Sequence, residues 1–194
     1  RTAGPRTAGG ARPRVAGASA QRAPGRTAEP CPLGSLKVKV VRADTGGSGV
    51  MFSIDTESGF PDAVLINAAW GLGENVVQGA VDPDEYEVFK PFLKDKGKVP
   101  ILEKALGAKE IKMIHDRDGT PRNVPTSKAE RAKFVLSDAE ILTLARQACV
   151  IEDHYGCPMD MEWARDGKTG TLYIVQARPE TVQSRAVVGA LKSY

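Results

Sequence analysis

Three cysteines, two histidines and no long apolar run set the first limits on this 194-residue chain. Cys31, Cys149 and Cys157 are odd in number and show no C-x-x-C spacing. That excludes a disulfide framework and a zinc ribbon, and it points to free thiols in a reducing, cytoplasmic compartment. His115 and His154 have no partner at metal-ligand spacing. His154 beside Cys157 reads as a helix end and turn rather than a nucleophile pair. No apolar stretch approaches the ~20 residues of a membrane helix. Neither G-x-x-x-x-G-K-S/T nor G-x-G-x-x-G occurs, since Val76 stands where Gly71–Leu72–Gly73 would need a third glycine. No internal repeat is present.

Lysine is missing from residues 1–34, which hold six arginines and one acid, Glu29. This segment carries +5 of a total of +3, so the other 160 residues carry −2. The remainder is near neutral, and composition supplies no argument for nucleic-acid binding. Residues 1–34 also have little to bury, Val15 and Leu33 being their large apolar residues. Such a segment cannot offset its ordering entropy and is expected to be a disordered, low-complexity leader. Its prolines and glycines argue against the amphipathic helix of a transit peptide. Without an initiating Met, the chain is expected to be a fragment with a non-native leader.

What is present is ordered punctuation. Leu36–Arg42 alternates as a strand, and Thr45–Gly46–Gly47–Ser48–Gly49 is expected to break it. Val50–Ile54 and Ala63–Asn67 read as strands joined by a polar link holding Gly59 and Pro61. Tyr86–Phe89 and Ile111–Ile114 are further strands, the second followed by a turn at Asp116–Gly119. A helix is expected from Ser137. Ser137–Asp138–Ala139–Glu140 fits a capping box, and Ile141, Leu144, Ala145, Ala148 and Ile151 form an apolar stripe. Gly156 and Pro158 end it.

The chemistry concentrates at the end of the chain. Asp160–Met161–Glu162–Trp163 and Ile174–Val175–Gln176–Ala177–Arg178–Pro179 read as two strands joined by a turn at Asp166–Gly170. Alternation puts Asp160 with Glu162, and Gln176 with Arg178. A hairpin whose paired numbers sum to about 336 puts both sets on one face. Two oxygen ligands beside a fixed cation suit a magnesium-bound polyphosphate. The plain alternative is a solvated hairpin face. Lys109 and Lys112 invite a phosphate role, though lysine on an alternating strand is usually solvated.

The run Ile174–Thr181 resembles the end of the nucleotide-binding domain of the phosphoenolpyruvate synthase (pyruvate, water dikinase) family. So do His154–Tyr155–Gly156–Cys157–Pro158–Met159–Asp160, Gly71–Leu72–Gly73–Glu74–Asn75–Val76–Val77–Gln78–Gly79, and Ser48–Phe52 running into Asp55–Phe60. The resemblance covers about Val41 to Arg185. It implies an α+β, ATP-grasp-like nucleotide-binding lobe with a mixed or antiparallel sheet and a packed helix. The expected domain is 35–185, with 186–194 a linker or tail. By resemblance, Glu162 and Gln176 match the magnesium ligands and Arg178 the catalytic clamp on the terminal phosphates. Asp160 matches a supporting acid, and Glu74 joins the nucleotide-binding set. Arg42 and Asp44 match the family's Arg-Ser-Asp, with Ala43 replacing the serine. The family reaction converts ATP, pyruvate and water to phosphoenolpyruvate, AMP and phosphate through a phosphohistidine. The swivelling phosphohistidine domain and the pyruvate-binding barrel are expected to lie outside this chain, and the isolated fragment is expected to be inactive. A rifampicin phosphotransferase-like dikinase and a non-catalytic nucleotide-binding module remain open as alternatives.

Overall fold

The computed structural model describes residues 40–95 and 97–181. The expected leader at 1–34, the Leu36–Lys39 part of the first strand and the tail at 186–194 lie outside the described residues. Eight strands and three α-helices follow in order: β1 (Gly47–Phe52), β2 (Ala63–Trp70), α1 (Glu74–Val77), β3 (Asp84–Phe89), β4 (Ile101–Ala105), β5 (Ile111–His115), β6 (Pro121–Pro125), α2 (Lys128–Arg131), α3 (Asp138–Tyr155), β7 (Met159–Arg165) and β8 (Leu172–Pro179). One sheet runs β4-β3-β2-β1-β7-β8, and β5 with β6 forms a separate ribbon. Every strand pairing is antiparallel, and helices accompany the sheets in an α+β arrangement.

Alternation along the strands divides the large sheet into two faces. Met51, Val64, Ile66, Tyr86, Val88, Met159 and Met161 are almost wholly buried and form one cluster with Ile141, Leu144, Ala145 and Ala148 of α3. Burial of side chains such as Ile141 and Leu144 contributes roughly 1.5–3 kcal/mol each. The helix begins where the capping box places it: Ser137 Oγ accepts from Glu140 N–H, and Glu140 Oε2 accepts from Ser137 N–H. It stops at Gly156, whose φ of +69° continues no α-helix. The chain turns at once into β7, so α3 packing fixes where Asp160 and Glu162 emerge.

Three expectations fail. Val40–Arg42 is not a strand. Arg42 instead forks onto Asp44 with both contacts at 2.9 Å, and the chain tightens into a 3-10 turn at Ala43–Thr45. Gly47, Ser48 and Gly49 do not break the chain but open β1. Glycine is used there for close approach, since a Cβ on Gly49 would lie 1.8 Å from the Asn67 carbonyl oxygen. Lys109 is neither solvated nor aimed at a site. It is fully buried and ion-paired with the equally buried Asp84. Asp84 also accepts from Gly107 N–H at 3.0 Å, Val135 N–H at 2.8 Å and Tyr86 Oη at 3.2 Å. A buried charge needs such partners. Burial, with Asp84 alongside, pushes the Tyr86 phenol far above its ordinary range.

Candidate functional site

The β7–β8 hairpin turns at Asp166, whose Oδ1 accepts from Lys168 N–H at 2.8 Å and Thr169 N–H at 3.0 Å. Its register differs from the expected one. Asp160 faces Arg178 and Glu162 faces Gln176, a sum of 338 rather than about 336. The sum stays even, so all four side chains belong to one face. Beyond Glu162 the register slips: Trp163 faces Ile174, leaving Val175 as an extra residue in β8. Such a bulge adds local twist. The slip turns Ile174 to the α3 side, where it packs against the buried cluster that holds Met159, Met161 and Trp163. The polar quartet lies on the other face, with Val50 opposite Glu162 and Phe52 opposite Asp160 on β1.

Arg178 donates from Nε to Asp160 Oδ2 at 2.8 Å, and its Nη2 lies 2.8 Å from the same oxygen. The Asp160 hydrogen bond and charge, with Glu162 adding to them, hold the guanidinium proton more tightly than usual. The Arg178 side chain remains 60% exposed. It therefore keeps donors available beyond Asp160. Phe52, Thr56, Glu180 and Thr181 complete the hollow around the pair.

A second cleft lies on the other side of the quartet. Glu162 lines it from β7, Ser48 from β1, and Leu72, Gly73, Glu74 and Gln78 from the loop into α1. Glu74 and Glu162, distant in sequence, thus line one cleft. Glu74 Oε1 accepts from Gln78 Nε2 at 3.0 Å. Ser48 Oγ donates to the Gly71 carbonyl at 2.6 Å and holds the loop down on β1. Sequence reading missed Thr56 and Glu180 as neighbours of the site, and it took Ser48 as part of a glycine-rich segment rather than as a strand residue. For Ser48 the signal was present in alternation, since it shares a parity with Val50 and Phe52 on β1. For Thr56 only the path of the β1–β2 loop supplies it.

Three other cations are committed elsewhere. Lys90 reaches the Ser53 and Pro61 carbonyls and Glu152, Lys112 pairs with Glu130, and Arg165 pairs with Glu140. Among the described residues, no group of three or more His, Cys, Asp or Glu side chains is placed to cage a metal. Glu162 opposite Gln176 offers two hard oxygen donors. That set fits magnesium, which takes one or two protein oxygens and completes its shell with phosphates and water. No helix among the described residues is long and apolar enough to cross a membrane.

A capped helix behind a sheet, with a carboxylate–arginine quartet on its uncovered face, accords with the family match. Residues 25–193 match the family described as pyruvate phosphate dikinase, AMP/ATP-binding domain, and the chain belongs to that family. Among curated proteins it is similar to phosphoenolpyruvate synthase of Synechocystis sp., 60% identical over 164 residues that make up 80% of this chain and 20% of that one. The phosphoenolpyruvate synthases of Pseudomonas aeruginosa and Escherichia coli are 55% and 52% identical over 160 and 156 residues, or 80% and 77% of this chain. The chain spans about one-fifth of the length of these relatives.

Proposed function

We propose that residues 35–185 form an ATP-grasp-like lobe that supplies the magnesium–ATP face of a phosphoenolpyruvate synthase. The observation that carries this reading is the quartet of Asp160, Glu162, Gln176 and Arg178 on one uncovered face of the β7–β8 hairpin. Glu162 and Gln176 would hold magnesium, which, when bound, shares phosphate oxygens and offsets their charge. Arg178 directs its remaining donors to the terminal phosphates, and Asp160 fixes the orientation of the guanidinium. Glu74 closes the cleft from α1. Preorganised cations of this kind are the main protein contribution to phosphoryl transfer. In the whole enzyme the phosphoryl group passes to a histidine and then to pyruvate, with ATP, pyruvate and water yielding phosphoenolpyruvate, AMP and phosphate. The names of the relatives and the family description support this reading.

Manganese–ATP provides the test. Added to the isotope-labelled 194-residue chain, the paramagnetic ion broadens amide signals near its site even when binding is weak. The signals of residues 160–162, 176–178 and 73–78 should broaden first, and excess magnesium–ATP should restore them. Broadening centred on the outer face of α3 or on the β5–β6 ribbon would reject the assignment.

A further inference from the structure

The β5–β6 ribbon takes no part in the core. Its residues are all half-buried or exposed, and none belongs to the central cluster. An isolated two-stranded hairpin is marginal in water. Helix α1 has the same weakness. It is four residues long, and its N-cap, Gly73, offers no side-chain hydrogen bond. A helix of one turn does not persist by itself.

The two weak elements meet at defined points. Leu72 N–H donates to the Met113 carbonyl at 2.9 Å, and Gly71 bridges Met113 in parallel fashion. Gly71 has φ +84°, and a Cβ there would lie 2.4 Å from the Met113 oxygen, so this seat accepts only glycine. One residue past Glu74, the buried Asn75 donates from Nδ2 to Asn123 Oδ1 on β6 at 2.8 Å. The far end of the ribbon is anchored independently. Thr126 Oγ1 donates to the carbonyl of Lys109, whose ammonium is held by buried Asp84, and Arg131 donates to Thr126 Oγ1 at 2.9 Å. Lys112 pairs with Glu130 on the flank.

We infer that the β5–β6 ribbon is a positioning device for the cleft, and that Asn123 is a positioning residue which, through Asn75, sets the place of α1 and hence of Glu74. That Glu74 faces a nucleotide rests on the function proposed above. That Asn123 fixes α1 does not. The ribbon carries a side-chain acceptor and a main-chain seat from a rigid anchor to a loop that has no core of its own.

Amide hydrogen exchange on the full chain tests this without ligand. Asn123 is exposed on the ribbon, so its replacement leaves the core intact. In Asn123→Ala, the amides of Leu72, Val77, Gln78 and Ala80 should exchange about three- to tenfold faster, the effect of one lost hydrogen bond. The amides of α3 and of β1–β2 should be unchanged. Asn123→Asp keeps the acceptor for Asn75 and should restore wild-type protection. Manganese–ATP should then broaden residues 73–78 less in Asn123→Ala than in wild type, while broadening of residues 160–162 persists. Equal acceleration in α3, no acceleration in α1, failure of Asn123→Asp to rescue, or loss of the fold in Asn123→Ala would each overturn the inference. If wild type shows no manganese–ATP broadening at all, the nucleotide reading fails while the exchange result still decides the role of Asn123.

Discussion

Arg178 sits directly opposite Asp160 across the β7–β8 hairpin, and its Nε and Nη2 both lie 2.8 Å from one carboxylate oxygen. An ion pair this exposed adds little to stability. Its consequence is orientation: Asp160 holds the guanidinium in place, which, on the function proposed above, leaves less to fix when phosphates bind.

Arg178→Ala should therefore separate stability from ligand binding. Its melting temperature is expected to stay within about 4 °C of wild type. Magnesium–ATP affinity should fall. On the function proposed above, in a full-length polypeptide containing this chain the Arg178→Ala change is expected to cost about 2–4 kcal/mol in the phosphorylation of histidine by ATP, by analogy with loss of one preorganised donor. Glu162→Ala should slow the same half-reaction. Neither change should impair phosphorylation of that histidine by phosphoenolpyruvate. Measuring both half-reactions for each variant decides the matter, because equal losses in both would mean that these side chains hold the fold.

Lys109→Met should be among the most damaging single changes in the chain. It leaves the Asp84 carboxylate buried without its cation, and loss of one member of such a pair costs about 3–5 kcal/mol. Lys112→Ala removes a partly exposed pair with Glu130 and should cost about 1 kcal/mol or less. Urea unfolding of both variants beside wild type gives the comparison.

Acid should weaken the chain in a defined window. Burial raises the Glu130 carboxyl, but hydrogen bonds from Lys112 and Ser127 outweigh it and bring its pKa down to about 2 from 4.5. A group lowered on folding stabilises fully above its unfolded pKa and loses that contribution as pH falls through the folded one. Glu140 is shifted the same way, with Ser137 and Arg165 prevailing over burial. The urea midpoint should therefore drop between about pH 5 and pH 2. Glu130→Gln should be less stable than wild type at pH 7, and the gap should narrow across that window. A constant gap from pH 7 to pH 2 would contradict the assignment.

Gly49→Ala should be poorly tolerated despite being a one-methyl change. The new Cβ would fall 1.8 Å from the Asn67 carbonyl oxygen and 3.1 Å from Trp163 Cζ2. The backbone of β2 cannot yield without breaking its register, so about 3 kcal/mol or more of destabilisation is expected. Thermal unfolding monitored by circular dichroism reads it out.

Local rules carried much of the architecture. Helix α3 was legible from Ser137 to Gly156 because cap, stripe and stop lie in consecutive sequence and obey one period. The hairpin was legible from alternation, although its register was off by two. Register depends on the conformation of the Asp166–Gly170 turn and on the bulge at Val175, and neither is encoded by the polarity pattern. Strands β4 and β6 went unread. Their residues are mostly exposed, so no apolar alternation marks them, and β6 begins and ends in proline. The glycines at 46–49 misled because glycine signals both turn and close approach, and only the neighbouring Asn67 and Arg165 carbonyls distinguish the two.

By itself the sequence determined where α3 begins and ends, and that Asp160 shares a parity with Glu162 and Gln176 with Arg178. These follow from short-range periodicity and residue chemistry. Only the tertiary structure decided that Glu74 and Glu162 line one cleft, that Lys109 is buried against Asp84, and that Asn75 of α1 bonds to Asn123 of the ribbon. Each of these joins residues 25 to 88 positions apart. Sheet order and loop path bring them together, and a one-dimensional pattern of polar and apolar residues does not specify which distant strands become neighbours.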